Sequence, residues 1–180
     1  MRYNQVKGAR NITQSRLMFW NARANLAFRA GTNDTIAKQL EIINILKLLK
    51  GCKYVLDAGC GNGITAISIC KSMRNVHMYA FDYSEAMITE ARKLSLNSGC
   101  SKIIFEVGEL TKPPFKESYF DAVYTERSLI NLNNLNEQKI SVSALLNKVR
   151  KGGILILCES FNDGLQEINI FRNALGVIQN

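Results

Sequence analysis

Short, densely apolar runs alternate along this chain with longer stretches in which apolar residues recur every three or four positions. The runs are Tyr54-Val55-Leu56, Val76 to Phe81, the apolar part of Lys102 to Leu110, Phe120 to Tyr124, and Ile154 to Cys158. Their lengths and their flanking glycines, acids and turn residues predict buried strands. The intervening stretches predict helices. Thr32, Asn33 and Asp34 offer N-caps for a helix whose apolar face is Ile36, Leu40, Ile43 and Leu46, ending at Lys50-Gly51. A second begins at Ile64, and a third runs from the N-cap Ser84, with Glu85 in its first turn, to Gly99. A fourth, from about Asn134 to Arg150, places Val142, Leu145, Leu146 and Val149 on one side, and a last lies near Leu165 to Val177. Strand and helix in alternation predict a three-layer αβα sandwich around a mostly parallel, doubly wound sheet with right-handed crossovers. The uninterrupted fifth run predicts a strand covered on both faces.

The sharpest local feature ends the first run: Asp57-Ala58-Gly59-Cys60-Gly61-Asn62-Gly63. A strand, a glycine loop that permits close backbone approach and a helix N-terminus together make a cofactor cradle. Two phosphate-binding alternatives fail. The dinucleotide fingerprint needs a third glycine where this chain has Ile64, and no Gly-Lys-Ser or Gly-Lys-Thr follows for a Walker loop. Asp57 agrees, since a carboxylate opposes a pyrophosphate but attracts an ammonium or sulfonium. The second run ends at Asp82, about twenty residues beyond the glycines, where a carboxylate can accept hydrogen bonds from both ribose hydroxyls of an adenosine. The cradle suits a nucleotide-like cofactor that carries no phosphate.

These segments resemble the class I S-adenosylmethionine-dependent methyltransferases, whose first motif is an acid followed by Gly-x-Gly-x-Gly. Asp82, Ser84 and Met87 match that family's Asp-x-Ser-x-x-Met segment, and Pro114-Phe115 with Phe120-Asp121-x-Val123 match the stretch leading into its fourth strand. The resemblance implies a Rossmann-like fold and S-adenosyl-L-methionine as cofactor. It implies contacts from Asp57, Gly59, Cys60, Gly61, Asn62 and Gly63, from Asp82 and Tyr83, from Glu109 and Leu110, and from Thr125. Glu109 stands where the family more often has Asp to meet the adenine amino group. Asp121, at the start of its strand, reads as a structural turn residue, because ligands bind at the carboxyl ends of such sheets. Glu126 and Arg127 leave the fourth strand at the ligand end; Glu126 reads as the general base and Arg127 as a group orienting an anionic acceptor. The family normally adds two further strands, for which this sequence has no room after its fifth run. Either the sequence is a fragment, or its strands, about five in number, leave an outer edge to be covered by the last helix, a partner or self-association.

Composition narrows the setting. A chain of 180 residues, 47% hydrophobic and 21% charged, has material for one core. The expected organisation is a helical extension over residues 1–50 covering the site, a methyltransferase core over 51–160, and a helical segment over 161–180. No apolar run is long enough to span a membrane, and no secretory signal is visible. Five cysteines without a Cys-x-x-Cys pair read as reduced thiols of a cytoplasmic protein, and a single histidine, His77, argues against a metal site. Charge is concentrated at the amino terminus. Residues 1–50 hold nine Lys or Arg against Asp34 and Glu41, and so supply +7 of the chain's +8. Arg2, Lys7, Arg10, Arg16, Arg23 and Arg29 interleave there with Tyr3, Phe19, Trp20 and Phe28. This segment reads as a cap over the cofactor, as an RNA-binding surface, or as a solvated or targeting stretch. No Asn-Pro-Pro-aromatic motif follows the fourth strand, and no cysteine is placed for cytosine methylation. A small-molecule or saccharide-like acceptor is the leading reading and RNA the alternative. A cofactor-binding but inactive partner or regulatory module is the reading from another class.

Overall fold

A computed structural model describes residues 14–174; Arg2, Tyr3, Lys7, Arg10 and Val177 lie outside the described residues. Helical residues 14–23 (α1) run into a 3₁₀ stretch, Ala24–Arg29. Then come α2 (Thr35–Leu48), β1 (Tyr54–Ala58), α3 (Ile64–Ser72), β2 (His77–Asp82), α4 (Glu85–Asn97), β3 (Ile104–Val107), β4 (Phe120–Glu126), α5 (Leu135–Leu146), β5 (Val149–Cys158) and α6 (Asn162–Ala174). The five strands form one sheet in the order β3-β2-β1-β4-β5, and every pairing is parallel.

Strand alternation divides the core into two layers. Val55, Met78, Ala80, Ala122 and Tyr124 point to the face covered by α2, α3 and α4, where Ile45, Leu49, Ile67, Ile69 and Ile88 pack. Leu56, Ala58, Phe81, Phe120 and Val123 point to the opposite face, closed by Leu145 of α5. The predicted three-layer α/β sandwich is therefore present. Asp34 caps α2 through Ala37 N, Ser84 caps α4 through Met87 N, and Asn134 caps α5 through Glu137 N.

Several sequence expectations are corrected. The inward face of α2 is Ile42 and Ile45, while Ile36, Leu40 and Ile43 are exposed; a helix apolar on more than one side leaves its orientation to packing, here against α3 and β5. Helix α5 stops at Leu146, which is itself exposed, and α4 stops at Asn97. Strand β5 begins at Val149, so Lys151-Gly152-Gly153 belongs to the strand rather than to a turn before it. The glycines permit this: the register slips between Phe120 and Ala122, and a Cβ on Gly153 would lie 2.7 Å from the Asp121 carbonyl oxygen. Only Ile156 of β5 is buried, because among the described residues no strand pairs with its outer edge. Asp121 has the structural role expected. Its Oδ2 accepts from the amides of Lys53 and Tyr54 at 2.6 and 2.8 Å, and Arg150 pairs with Oδ1.

Candidate functional site

The carboxyl ends of β1, β2, β3 and β4 open into a cavity of about 420 Å³, roofed by the N-terminal segment. Gly59, Gly61 and Gly63 all have positive φ, so the loop after β1 takes a path that other residues enter only with strain. At Gly59 the need is also steric: a Cβ would lie 2.4 Å from Ser128 Oγ, which instead donates to the Gly59 carbonyl at 3.1 Å.

Four of the loop's amides are already spent. Gly59 N and Cys60 N donate to the Phe81 carbonyl, each at 2.9 Å, Gly61 N donates to Asp82 Oδ2 at 2.9 Å, and Gly63 N donates to the Cys60 carbonyl at 3.0 Å. A phosphate-binding loop turns such N–H groups toward its anion; this one turns them inward and presents acids instead. Asp57 is 2% exposed and takes a 2.7 Å hydrogen bond from the Tyr124 hydroxyl. Burial pushes its pKa up to about 7 despite that bond. Asp82 accepts from Ser84 N at 2.9 Å as well as from Gly61 N, and burial pushes it up to about 6 against the pull of these amides. Burial, reinforced by the charges of Asp57 and Asp82, also raises the Cys60 thiol well above its usual range, which keeps it protonated and unreactive.

Eleven of the thirteen residues singled out in the sequence meet at this cavity: Asp57, Gly59, Cys60, Gly61, Asn62, Asp82, Tyr83, Glu109, Leu110, Glu126 and Arg127 line it. Gly63 and Thr125 do not. Gly63 is the N-cap of α3, packed so tightly that a Cβ would lie 2.9 Å from Phe105 Cε1. Thr125 is wholly buried in β4, with its hydroxyl unpartnered. Asn62 faces the roof: its amide donates to the carbonyls of Ala24 and Ala27 at 3.2 and 2.8 Å. Ser84 Oγ adds a bond to Asn21 Oδ1 at 2.6 Å, and Arg16 donates to the Asn131 carbonyl. These ties bring Arg16, Trp20 and Phe28 to the cavity wall.

Glu126 is not a bare carboxylate. Lys38 Nζ lies 2.6 Å from its Oε1, Thr65 Oγ1 donates to its Oε2 at 2.6 Å, and Arg127 Nη2 lies 3.4 Å from Oε1 and 3.1 Å from Glu41 Oε2. Burial opposes its charge, but the Lys38 ammonium, with hydrogen bonds from Lys38 and Thr65, leaves its pKa below the ordinary carboxylate value. Arg127 holds φ at 52°, a strained value for a residue with a side chain. Glu159, beyond β5, accepts from the amides of Ser128 and Leu129 at 3.0 and 3.1 Å and so fixes the loop that carries these groups. Lys38, Glu41 and Glu159 had no local signal, since each is an ordinary helix or strand-end residue until the sheet order brings it to β4.

Among the described residues no cluster suited to a metal ion occurs, and no helix is long and apolar enough to cross a membrane. The described cysteines are free thiols.

Known proteins are similar to this chain in sequence and fold. A demethylmenaquinone methyltransferase of Clavibacter sepedonicus is 29% identical over 105 residues, which are 58% of this chain and 40% of that protein. The PH0226 protein of Pyrococcus horikoshii OT3 has the same fold, with a TM-score of 0.66 at 20% identity over 86% of this chain and 67% of that one. A methyltransferase of Geobacter sulfurreducens, solved with S-adenosyl-L-homocysteine, has a TM-score of 0.54 at 16% identity over 65% of this chain and 47% of that one. This chain thus spans less than half the length of the curated relative. Residues 55–153, from β1 through the glycines of β5, match the family described as methyltransferase domain. That span is more than half of the sequence and contains the glycine loop, Asp82 and Glu126, so the chain belongs to the methyltransferase domain family.

Proposed function

We propose that this cavity binds S-adenosyl-L-methionine and that the protein transfers its methyl group to a small-molecule acceptor. The observation that carries this reading is the loop of inward-turned amides beside two buried carboxylates, Asp57 and Asp82, a donor set matched to a cationic adenosine derivative and unsuited to a phosphate. When bound, the cofactor supplies an electrophilic methyl group on a sulfonium. In this reading Asp82 holds the ribose hydroxyls, and Tyr83, Glu109 and Leu110 hold the adenine. Asp57 and the backbone of Gly59 to Gly61 face the amino acid end. Glu126 and Arg127 stand at the reacting end, where Glu126 takes the acceptor's proton or holds a fixed negative charge. Thr125 and Gly63 support the site through packing rather than contact. The N-terminal roof excludes water and places the acceptor, the main contribution a displacement of this kind asks of a protein.

The cytoplasm fits five cysteines without a disulfide among the described residues. Among the described residues the geometry lends an RNA acceptor no support: Arg16 and Arg23 donate to the carbonyls of Asn131, Ala30 and Arg29 within the chain. Self-association at β5 rests on its open edge alone.

Calorimetric titration of the folded protein with S-adenosyl-L-methionine and S-adenosyl-L-homocysteine tests the cofactor; micromolar binding is expected. No heat from either ligand would overturn the assignment. Binding with no methyl transfer across a panel of hydroxyl, amine and thiol acceptors would replace the enzyme by a non-catalytic module.

A further inference from the structure

One residue of the roof holds a backbone conformation that its side chain disfavours. Ala27, inside the 3₁₀ stretch, has φ 48° and ψ −123°. Those angles belong to the first central position of a type II′ turn, where glycine is the rule because a Cβ is strained there. Both sides of this kink reach the cavity, Arg16 and Trp20 before it and Phe28 and Gly31 after it. The Ala27 side chain is exposed, so no packing of its own offsets the strain. Its carbonyl is what is held. Asn62 Nδ2 donates to that carbonyl at 2.8 Å and to the Ala24 carbonyl at 3.2 Å, and Ala30 N donates to it at 3.1 Å. Asn62 is itself 5% exposed and firmly placed. It stands between Gly61, whose amide is fixed to Asp82 Oδ2 at 2.9 Å, and Gly63, whose amide is fixed to the Cys60 carbonyl at 3.0 Å.

We propose that Asn62 is a positioning residue that bolts the strained turn of the roof to the glycine loop, so that the wall carrying Trp20 and Phe28 keeps its place over the loop. That wall belongs to the proposed methyl-transfer site, and the inference rests on that reading for its part in placing the acceptor. The strain at Ala27 works against closure of the roof, and the two Asn62 bonds work for it. Removing the bonds lets the turn relax and the roof lift. Removing the strain makes the bonds dispensable. A side chain that served only by touching a ligand would have no such link to Ala27.

Trp20 is the only tryptophan of the chain, so its fluorescence reports on the roof. The test measures acrylamide quenching of the unliganded protein in wild type, Asn62→Ala, Ala27→Gly and the double variant. Asn62→Ala is expected to raise the quenching constant by about twofold or more, as a locally opened roof exposes the indole. Adding Ala27→Gly to that variant is expected to return most of the shielding, since glycine takes the turn without strain. Release of S-adenosyl-L-homocysteine, followed by stopped-flow fluorescence, is expected to quicken by about fivefold or more in Asn62→Ala and to slow again in the double variant. Unchanged quenching in Asn62→Ala overturns the proposal, as does a double variant quenched as strongly as Asn62→Ala. Should Asn62→Ala not fold, Ala27→Gly alone decides: weaker quenching than wild type is expected, and equal or stronger quenching overturns the strain argument and the proposal with it. If S-adenosyl-L-homocysteine binds none of the four proteins, the cofactor reading falls, a result distinguishable from the quenching of the unliganded roof.

Discussion

Replacing Asp82 by alanine is the most informative single change, because this carboxylate is at once a proposed ribose ligand and a fastening of the cradle. Its oxygens accept from Gly61 N and Ser84 N, each at 2.9 Å. Hydrogen bonds to a charged acceptor contribute about 1.5–3 kcal/mol apiece, so the two sum to about 3–6 kcal/mol. Burying the carboxylate costs part of this, as its pKa of about 6 shows, a rise of about two units or roughly 3 kcal/mol. The net loss of stability on truncation is therefore about 0–3 kcal/mol, readable as a shift in the urea midpoint. Loss of the ribose bonds adds about 1–3 kcal/mol to binding, so the dissociation constant for S-adenosyl-L-methionine should rise by about 5- to 150-fold. Ser84→Ala separates the two effects. It removes the cap on Met87 N, a 3.1 Å bond, and the tie to Asn21, and should cost about 1 kcal/mol of stability with affinity held within about twofold. A folded Asp82→Ala protein that binds the cofactor as tightly as wild type would remove Asp82 from the site and the ribose argument with it.

Gly63→Ala should lower stability by about 2–4 kcal/mol, since its φ of 78° is strained for alanine and the new Cβ would press on Phe105 and Ala91 at 2.9 and 3.0 Å; an unchanged urea midpoint would refute the packing argument. Asp57→Asn should show a pH-dependent gain. The native pKa of about 7 exceeds the ordinary 3.8, so wild type takes up a proton on folding; that stability is complete below pH 4 and is lost as pH rises toward and through 7. The variant has no such proton to lose and should gain at least about 1 kcal/mol relative to wild type between pH 4 and 8, while binding S-adenosyl-L-methionine more weakly. Urea midpoints at the two pH values check the sign, and a gain at pH 4 instead would reverse the reasoning.

Features written within a few neighbouring residues are legible in the sequence. The glycine spacing, the acids at the strand ends and the caps Asp34 and Ser84 stand in the fold where the sequence implies, because each depends on backbone geometry inside one turn or one strand end. Helix α2 shows where this fails. Its apolar residues surround more than one side, so the choice of Ile42 and Ile45 over Ile36, Leu40 and Ile43 as the buried face was made by α3 and β5. Thr125 and Glu126 are adjacent, yet strand alternation buries one and brings the other to the cavity.

The order of residues alone suffices for the αβα alternation, the cradle and the charge its occupant carries, since each follows from short-range sterics and carboxylate chemistry. What surrounds Glu126 was settled by tertiary packing. Lys38 lies 88 positions from Glu126 in the chain, and Asn62 lies 38 from Ala24. Such pairs form only when the sheet order sets β4 beside β1 and carries α2 and the N-terminal segment over their carboxyl ends, a placement fixed by burial summed over the whole core.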